Sequence, residues 1–155
     1  MYRDNRKGDK MDENLEILTH IYKSAQMGHS SSENLLKELR EKDNKIKVVL
    51  EEINKEYEKY EKESSKLLKK NGQKPQGSSM MAEFMSKFGI RKEVMNDNSD
   101  SSIASTLIEG IMMGNLEIDK KINSYDGRID KKIESFAKKY KKFGEVSIEK
   151  LNFFL

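Results

Sequence analysis

This sequence predicts an all-α four-helix bundle made of two helical hairpins joined by a long crossover, and three observations predict it. Apolar residues step by three and four through four long segments, the spacing that keeps one stripe of a helix against its neighbours at a shallow crossing angle. Turn-forming residues interrupt the pattern only between those segments. The second half of the chain repeats the apolar spacing of the first. One domain over 12–155 follows, with a hairpin at 12–70, a crossover at 71–100 and a second hairpin at 101–155, preceded by a disordered extension at 1–11.

The first helix, about 13–40, is read from Leu15, Leu18, Tyr22, Ala25, His29, Ser32, Leu36 and Leu39. Ser30 and Glu33 have capping-box spacing, but the stripe keeps its phase across them, so one kinked helix is expected rather than two. The second, about 44–70, carries Ile46, Leu50, Ile53, Tyr57, Tyr60, Ser64 and Leu67, with Asp43 as its N-cap and Asn71-Gly72 as its end. Pro75 and Gly77 follow, and Met80 to Phe88 form a short amphipathic helix within the crossover, near 79–89. Asp97-Asn98-Ser99-Asp100-Ser101 leads into the third helix, about 101–125, with Ala104, Ile108, Ile111, Asn115, Ile118, Ile122 and Tyr125. The fourth, about 127–153, is capped by Asp126 and carries Ile129, Ile133, Phe136, Tyr140, Phe143, Ser147 and Leu151.

The repeat has a register. Asp43, Ile46, Leu50, Ile53, Tyr57, Tyr60, Ser64 and Leu68 match Asp126, Ile129, Ile133, Phe136, Tyr140, Phe143, Ser147 and Leu151 at a constant offset of 83. Met27-Gly28 matches Met113-Gly114 at an offset of 86.

Composition sets the function classes. Of 155 residues, 37 % are charged and 35 % hydrophobic, against about 25 % and 45–50 % in an average globular chain. With no cysteine, disulfide scaffolds, thiolate metal sites and thiol catalysis are excluded. No apolar run approaches the roughly 20 residues of a membrane span, so a cytoplasmic protein with no membrane partner is expected. Residues 1–10 hold four basic and two acidic side chains, leaving the rest of the chain at +1 of a total +3. So balanced a domain argues against nucleic acid as its target.

Two hairpins, a crossover of about 30 residues and the short motifs Met27-Gly28, Lys74-Pro75-Gln76-Gly77 and Met113-Gly114 resemble the ferritin-like superfamily, in particular small ferritin-like proteins of low-GC, spore-forming bacteria. That resemblance implies a ferritin-like four-helix bundle over 12–154. Di-iron members of the superfamily take a Glu from each of two helices and a Glu-x-x-His from each of the others. No Glu-x-x-His is present, and the two histidines, His20 and His29, both lie in the first helix. Aromatics occupy the inward i, i+3 positions, as Tyr57-x-x-Tyr60 and Tyr140-x-x-Phe143.

Candidate site residues follow from the same seams. His29 and Asn115 fall at equivalent places, and with Ser32, Ser64, Ser147 and the hydroxyls of Tyr57, Tyr60 and Tyr140 they are expected to form a polar layer inside the bundle. The alternative there is a small ligand or a single metal. Glu16 and His20 have the i, i+4 spacing of a two-ligand metal face, though their phase puts them on the solvent side. Glu109, beside Gly110, is the one candidate remnant of a metal-binding carboxylate. Met80, Met81 and Met85 cluster as soft Cu(I) ligands would, but with Phe84 and Phe88 they also make an apolar packing stripe. Lys120 to Lys142 holds nine basic residues against Asp126, Asp130 and Glu134, without aromatic interleaving. No phosphate loop or catalytic triad can be assembled. The expected function is non-catalytic, through self-association (a dimer before other oligomers) or protein binding, in stress or sporulation physiology. No cofactor is expected. A ferritin-like iron or manganese protein or oxidase with a degenerate site is the alternative, and a DNA-associating bundle the second.

Overall fold

The computed structural model describes residues 2–75, 97–125 and 127–155, with side chains from residue 13 onward. Four helices account for most of them: α1 (Tyr2–Glu38), α2 (Lys47–Lys70), α3 (Asp100–Ser124) and α4 (Lys131–Asn152). No strand occurs among the described residues. The expected short helix near 79–89, its methionine cluster and the Asp126 cap lie outside them.

Residue partners set the helix directions. Ser32 and His29 of α1 meet Asn54 and Glu61 of α2, so these two helices run antiparallel. Asp119 pairs with Lys141, and Ile111 lies against Gly144, so α3 and α4 are antiparallel as well. Asn14 meets Asp130 and Ser24 meets Tyr140, which makes α1 and α4 parallel. Thus α1 and α4 point one way, α2 and α3 the other. The most extensive packing is α1 on α2, then α3 on α4.

The core follows the predicted stripes at most positions of three helices, except that Leu68, Ala137 and Gly144 are buried while the predicted Leu67, Phe136 and Phe143 beside them are partly exposed. Leu50, Ile53, Tyr57, Tyr60 and Ser64 of α2 are buried, as are Ile108, Ile111 and Ile118 of α3 and Ile133, Tyr140, Ser147 and Leu151 of α4. In α1 the stripe is rotated. Ile17, Ile21 and Leu35 are buried beside Leu18, Ala25, Ser32 and Leu39, while Leu15, Tyr22, His29 and Leu36 lie at its edge. Wherever two adjacent residues are both apolar, as at Ile17-Leu18 and Leu35-Leu36, spacing alone cannot choose between them. Each fully buried aliphatic side chain is worth about 1.5–3 kcal/mol over leaving it exposed.

The helix ends correct several expectations. α1 is helical from Tyr2, within the segment expected to be an extension, and it passes through 28–33 as one helix. Ser32 donates from its hydroxyl to the carbonyls of Gly28 and His29 there. Asp43 does not cap α2. That helix starts at Lys47 behind Ile46, with no side-chain cap bond. The physical reason is tertiary: Leu39 and Ile46 are buried, and Asn44 and Lys45 donate to the Asp100 carboxylate at the start of α3. The chain between α1 and α2 is therefore spent in turns. α2 ends as expected. Gly72 takes a φ of +79°, its N–H donates to Lys69 and that of Gln73 to Leu68, forming a Schellman cap. α3 is capped by Ser99, whose hydroxyl accepts from the Ser102 N–H. α4 begins four residues later than expected, at Lys131, because the Asp130 N–H is held by the Asn14 side chain of α1.

The two Met-Gly motifs perform differently. A Cβ on Gly28 would stand 2.5 Å from the Tyr57 ring, whereas one on Gly114 would meet only the Ser24 hydroxyl, at 3.4 Å. Gly28 is thus the close-approach point of α1 and α2. Gly28→Ala should destabilise the protein by about 1–3 kcal/mol through overpacking, despite a helix-propensity gain of up to about 1 kcal/mol. Gly114→Ala should be neutral or stabilising by up to about 1 kcal/mol. Urea melts of the two variants check this; equal effects would contradict the assigned contact.

Candidate functional site

Five aromatic rings meet between α2 and α4, and they occupy the inward positions read from the sequence. Tyr60 stacks on Phe143 with centroids 5.5 Å apart and lies edge-on to Tyr140 at 5.1 Å. Tyr57 meets Phe143 edge-on at 5.0 Å, and Phe136 packs on Tyr60 at 5.8 Å. Such geometries contribute about 0.5–1.5 kcal/mol each beyond burial. The Tyr140 hydroxyl crosses to α1 and shares a 2.7 Å hydrogen bond with Ser24. Burial pushes Tyr57 upward from the usual phenol value, and burial with the neighbouring Tyr57 ring does the same for Tyr140. Tyr60 is raised by burial and by Glu56 and Glu63.

Behind Tyr57 and Tyr140 lies a small cavity bounded also by Ser24, Gly114, Asn115 and Gly144, with a water-sized volume of about 10 Å³. That is close to the least space one water occupies and far below the 300–1,000 Å³ of organic ligand sites. Ser24, Asn115 and Tyr140 bring polar atoms to this cavity, which has no room for a substrate-sized molecule, while Ser32, Ser64 and Ser147 bond elsewhere.

His29 is not part of it. Its Nδ1 donates to Glu61 Oε1 at 3.0 Å, on α2 and at the half-exposed edge of α1. Asn115 instead faces α4, where its amide donates to the Lys141 carbonyl at 3.1 Å. The two residues still occupy equivalent places. His29 meets Glu61, and Asn115 meets Gly144, which stands at the Glu61 position under the offset of 83. A Cβ at Gly144 would lie 2.8 Å from the Asn115 amide. Having no side chain there lets Asn115 sink toward the α4 backbone. Ser64 and Ser147 match as well, each donating to the carbonyl four residues before it.

The remaining candidates are committed elsewhere. Glu16 is held by Lys121 at 2.9 Å and by the Tyr125 hydroxyl. These bonds, that of Tyr125 first, keep its carboxyl below the usual carboxylate range and push Tyr125 up to about 12. His20 does not face solvent as its phase predicted. It packs on α3, and Nε2 donates to the Gly114 carbonyl at 3.2 Å. Burial holds its pKa below the usual histidine value, so the ring is neutral with that nitrogen occupied. Glu109 is half-buried on α3, with one carboxylate oxygen shielded from solvent. No three His, Asp or Glu side chains converge as a metal site among the described residues. The basic stretch is largely threaded with acids: Lys121 pairs with Glu16, Arg128 with Glu13, Lys138 with Glu134 and Lys141 with Asp119.

Sequence reading missed Ser24, Asn54, Glu61 and Gly144. Gly144 carried a usable signal, as a small residue between Phe143 and the Ser147 turn, on the helix face that the seam already marked. Ser24 carried none, because hydroxyl partners on another helix leave no trace in spacing. No helix among the described residues is long and apolar enough to cross a membrane. Comparison with protein-family models, curated proteins and solved structures gives no significant match.

Removing the Ser24 hydroxyl should leave the buried Tyr140 hydroxyl short of a partner and cost about 1–3 kcal/mol, and the Ser24→Ala/Tyr140→Phe double variant should cost less than the sum of the singles. His29→Leu and Asn115→Leu, which break separate contacts, should add within about 0.5 kcal/mol. Denaturant melts of these variants measure both. Alkaline pH supplies another check. A buried phenol whose folded pKa is raised stabilises fully below about pH 10 and loses that contribution as pH rises above it. Unfolding should therefore set in with phenolate formation, and Tyr57→Phe should move the onset to higher pH, followed by phenolate absorbance alongside circular dichroism.

Proposed function

We propose that this chain is a ferritin-like bundle whose metal-ligand positions have been taken over by packing residues, and that it works by association rather than by catalysis. Parallel α2 and α3 support the fold assignment, because the second and third helices of a ferritin-like bundle also run parallel. The i, i+3 positions facing the interior hold Tyr57, Tyr60, Tyr140 and Phe143, all engaged in ring contacts.

One observation carries the association reading. α3 exposes Met112, Met113 and Leu116 on its outer side, with Met112 56 % and Leu116 53 % accessible. Three adjacent apolar side chains left in water on one helix face mark a protein contact more than a catalytic surface. Unbranched methionines adapt to a partner's shape. The partner in this reading is a second copy of the chain, and stress or sporulation physiology is the setting proposed for the assembly.

Sedimentation velocity over a concentration series tests the proposal. A dimer or larger species that weakens in Met112→Gln/Leu116→Gln is the expected result. Stoichiometric iron or manganese in protein purified without chelator would contradict the non-metal part, and a chain monomeric at every concentration would contradict association.

A further inference from the structure

Charge is divided unevenly between the last two helices. α3 holds four acidic and two basic residues, a net of −2, while α4 holds seven lysines and three glutamates, a net of +4. The acidic helix carries the exposed apolar stripe of Met112, Met113 and Leu116, flanked by the exposed Glu117, which lies 3.6 Å from Lys120. The basic helix borders a surface groove of about 550 Å³ shared with α2. The groove floor is apolar, with Ile53, Tyr60, Phe143 and Val146, and Lys139 and Lys142 stand along its α4 side. Lys55 and Lys150 add two more cations against Glu52 and Glu56 of α2, so lysines outnumber carboxylates in the lining by four to two. Lys150 is paired with Glu52 at 2.9 Å and Lys142 lies 3.9 Å from Glu145. A second groove, of about 430 Å³, runs along the same helix past Lys131, Lys139, Lys142 and the Lys138–Glu134 pair.

Stripe and groove complement each other in shape and in charge. One is a convex apolar ridge on an acidic helix, the other an open apolar channel with a lysine edge. They also sit on different sides of the bundle, since the groove lies between α2 and α4 whereas α3 packs on α1 and α4.

Building on the association reading above, we infer that the contact is head-to-tail: the α3 stripe of one copy seats in the α2–α4 groove of the next. The recognition is that of an amphipathic helix in a groove. The Met112, Met113 and Leu116 side chains cover the Tyr60–Phe143 floor, and Glu117 approaches Lys139 and Lys142. A contact between two different patches leaves a free stripe at one end and a free groove at the other. Copies therefore add until a ring closes or a filament grows. A contact of one patch with itself would stop at two.

The arrangement is tested by mixing two variants. Met112→Gln/Leu116→Gln removes the ridge, and Lys139→Glu/Lys142→Glu turns the channel edge acidic. All four positions are exposed, and circular dichroism checks that both variants keep the helices. Each variant alone should associate at least about tenfold more weakly than the parent chain, by loss of apolar contact or by like-charge repulsion. Mixed, they should form a one-to-one complex and nothing larger, because only one intact stripe and one intact groove are present. If the groove variant still dimerises alone while the stripe variant does not, α3 pairs with itself and the head-to-tail inference is overturned, although association stands. If the parent chain is monomeric throughout, the association reading itself fails.

Discussion

The aromatic seam between α2 and α4 is the constraint on which the rest of the bundle depends. Tyr57, Tyr60, Phe136, Tyr140 and Phe143 bring the two halves of the chain together through rings rather than aliphatic side chains. Rings of this size need space on the opposing helices. Gly28 supplies it for Tyr57, whose ring lies where any larger residue would place its Cβ. The Tyr140 hydroxyl, carried into the interior by its ring, has to find a partner there, and Ser24 of α1 provides it. The small cavity beside these groups is what remains when rigid rings and two glycines meet without filling every gap.

The two halves place different side chains at equivalent positions under that constraint. At equivalent places the first half pairs His29 with Glu61 at a half-exposed edge, and the second sets Asn115 against Gly144. The difference follows from environment. A histidine and a carboxylate that bond at an edge keep contact with water, whereas removing the side chain at Gly144 draws Asn115 inward until its amide reaches a backbone carbonyl. Ser64 and Ser147 make the same bond, each to the carbonyl four residues before it on its own helix. The bond confined to one helix is the same in both halves; the contact that crosses between helices differs.

Outside the core, ion pairs run between helices as much as along them. Glu16 joins α1 to Lys121 and Tyr125, Glu13 reaches Arg128, and Asp119 reaches Lys141. The connection between α3 and α4 is thereby fastened to α1, while Asp100 fastens the connection between α1 and α2 to the start of α3. Exposed pairs of this kind contribute little individually. Their effect is to fix where the helices begin and how they face one another; among the described residues the α3 stripe and the α2–α4 groove stay exposed.

The sequence by itself determined the four long helices, most of the inward positions of α2, α3 and α4, the Asn71-Gly72 stop and the pairing of aromatics at i, i+3 positions of α2 and α4. These properties are local or periodic, and a stripe of step three and four survives any arrangement that buries it. Only the tertiary structure decided the rest. It rotated the α1 stripe, because adjacent apolar pairs such as Ile17-Leu18 offer two stripes and the packing partner selects one. It moved the starts of α2 and α4, because side chains from distant helices hold the backbone N–H groups of Lys45 and Asp130. It also parted His29 from Asn115 and turned His20 inward, because a polar side chain's direction is set by the partner it finds across the bundle, and spacing along a chain carries no record of that partner.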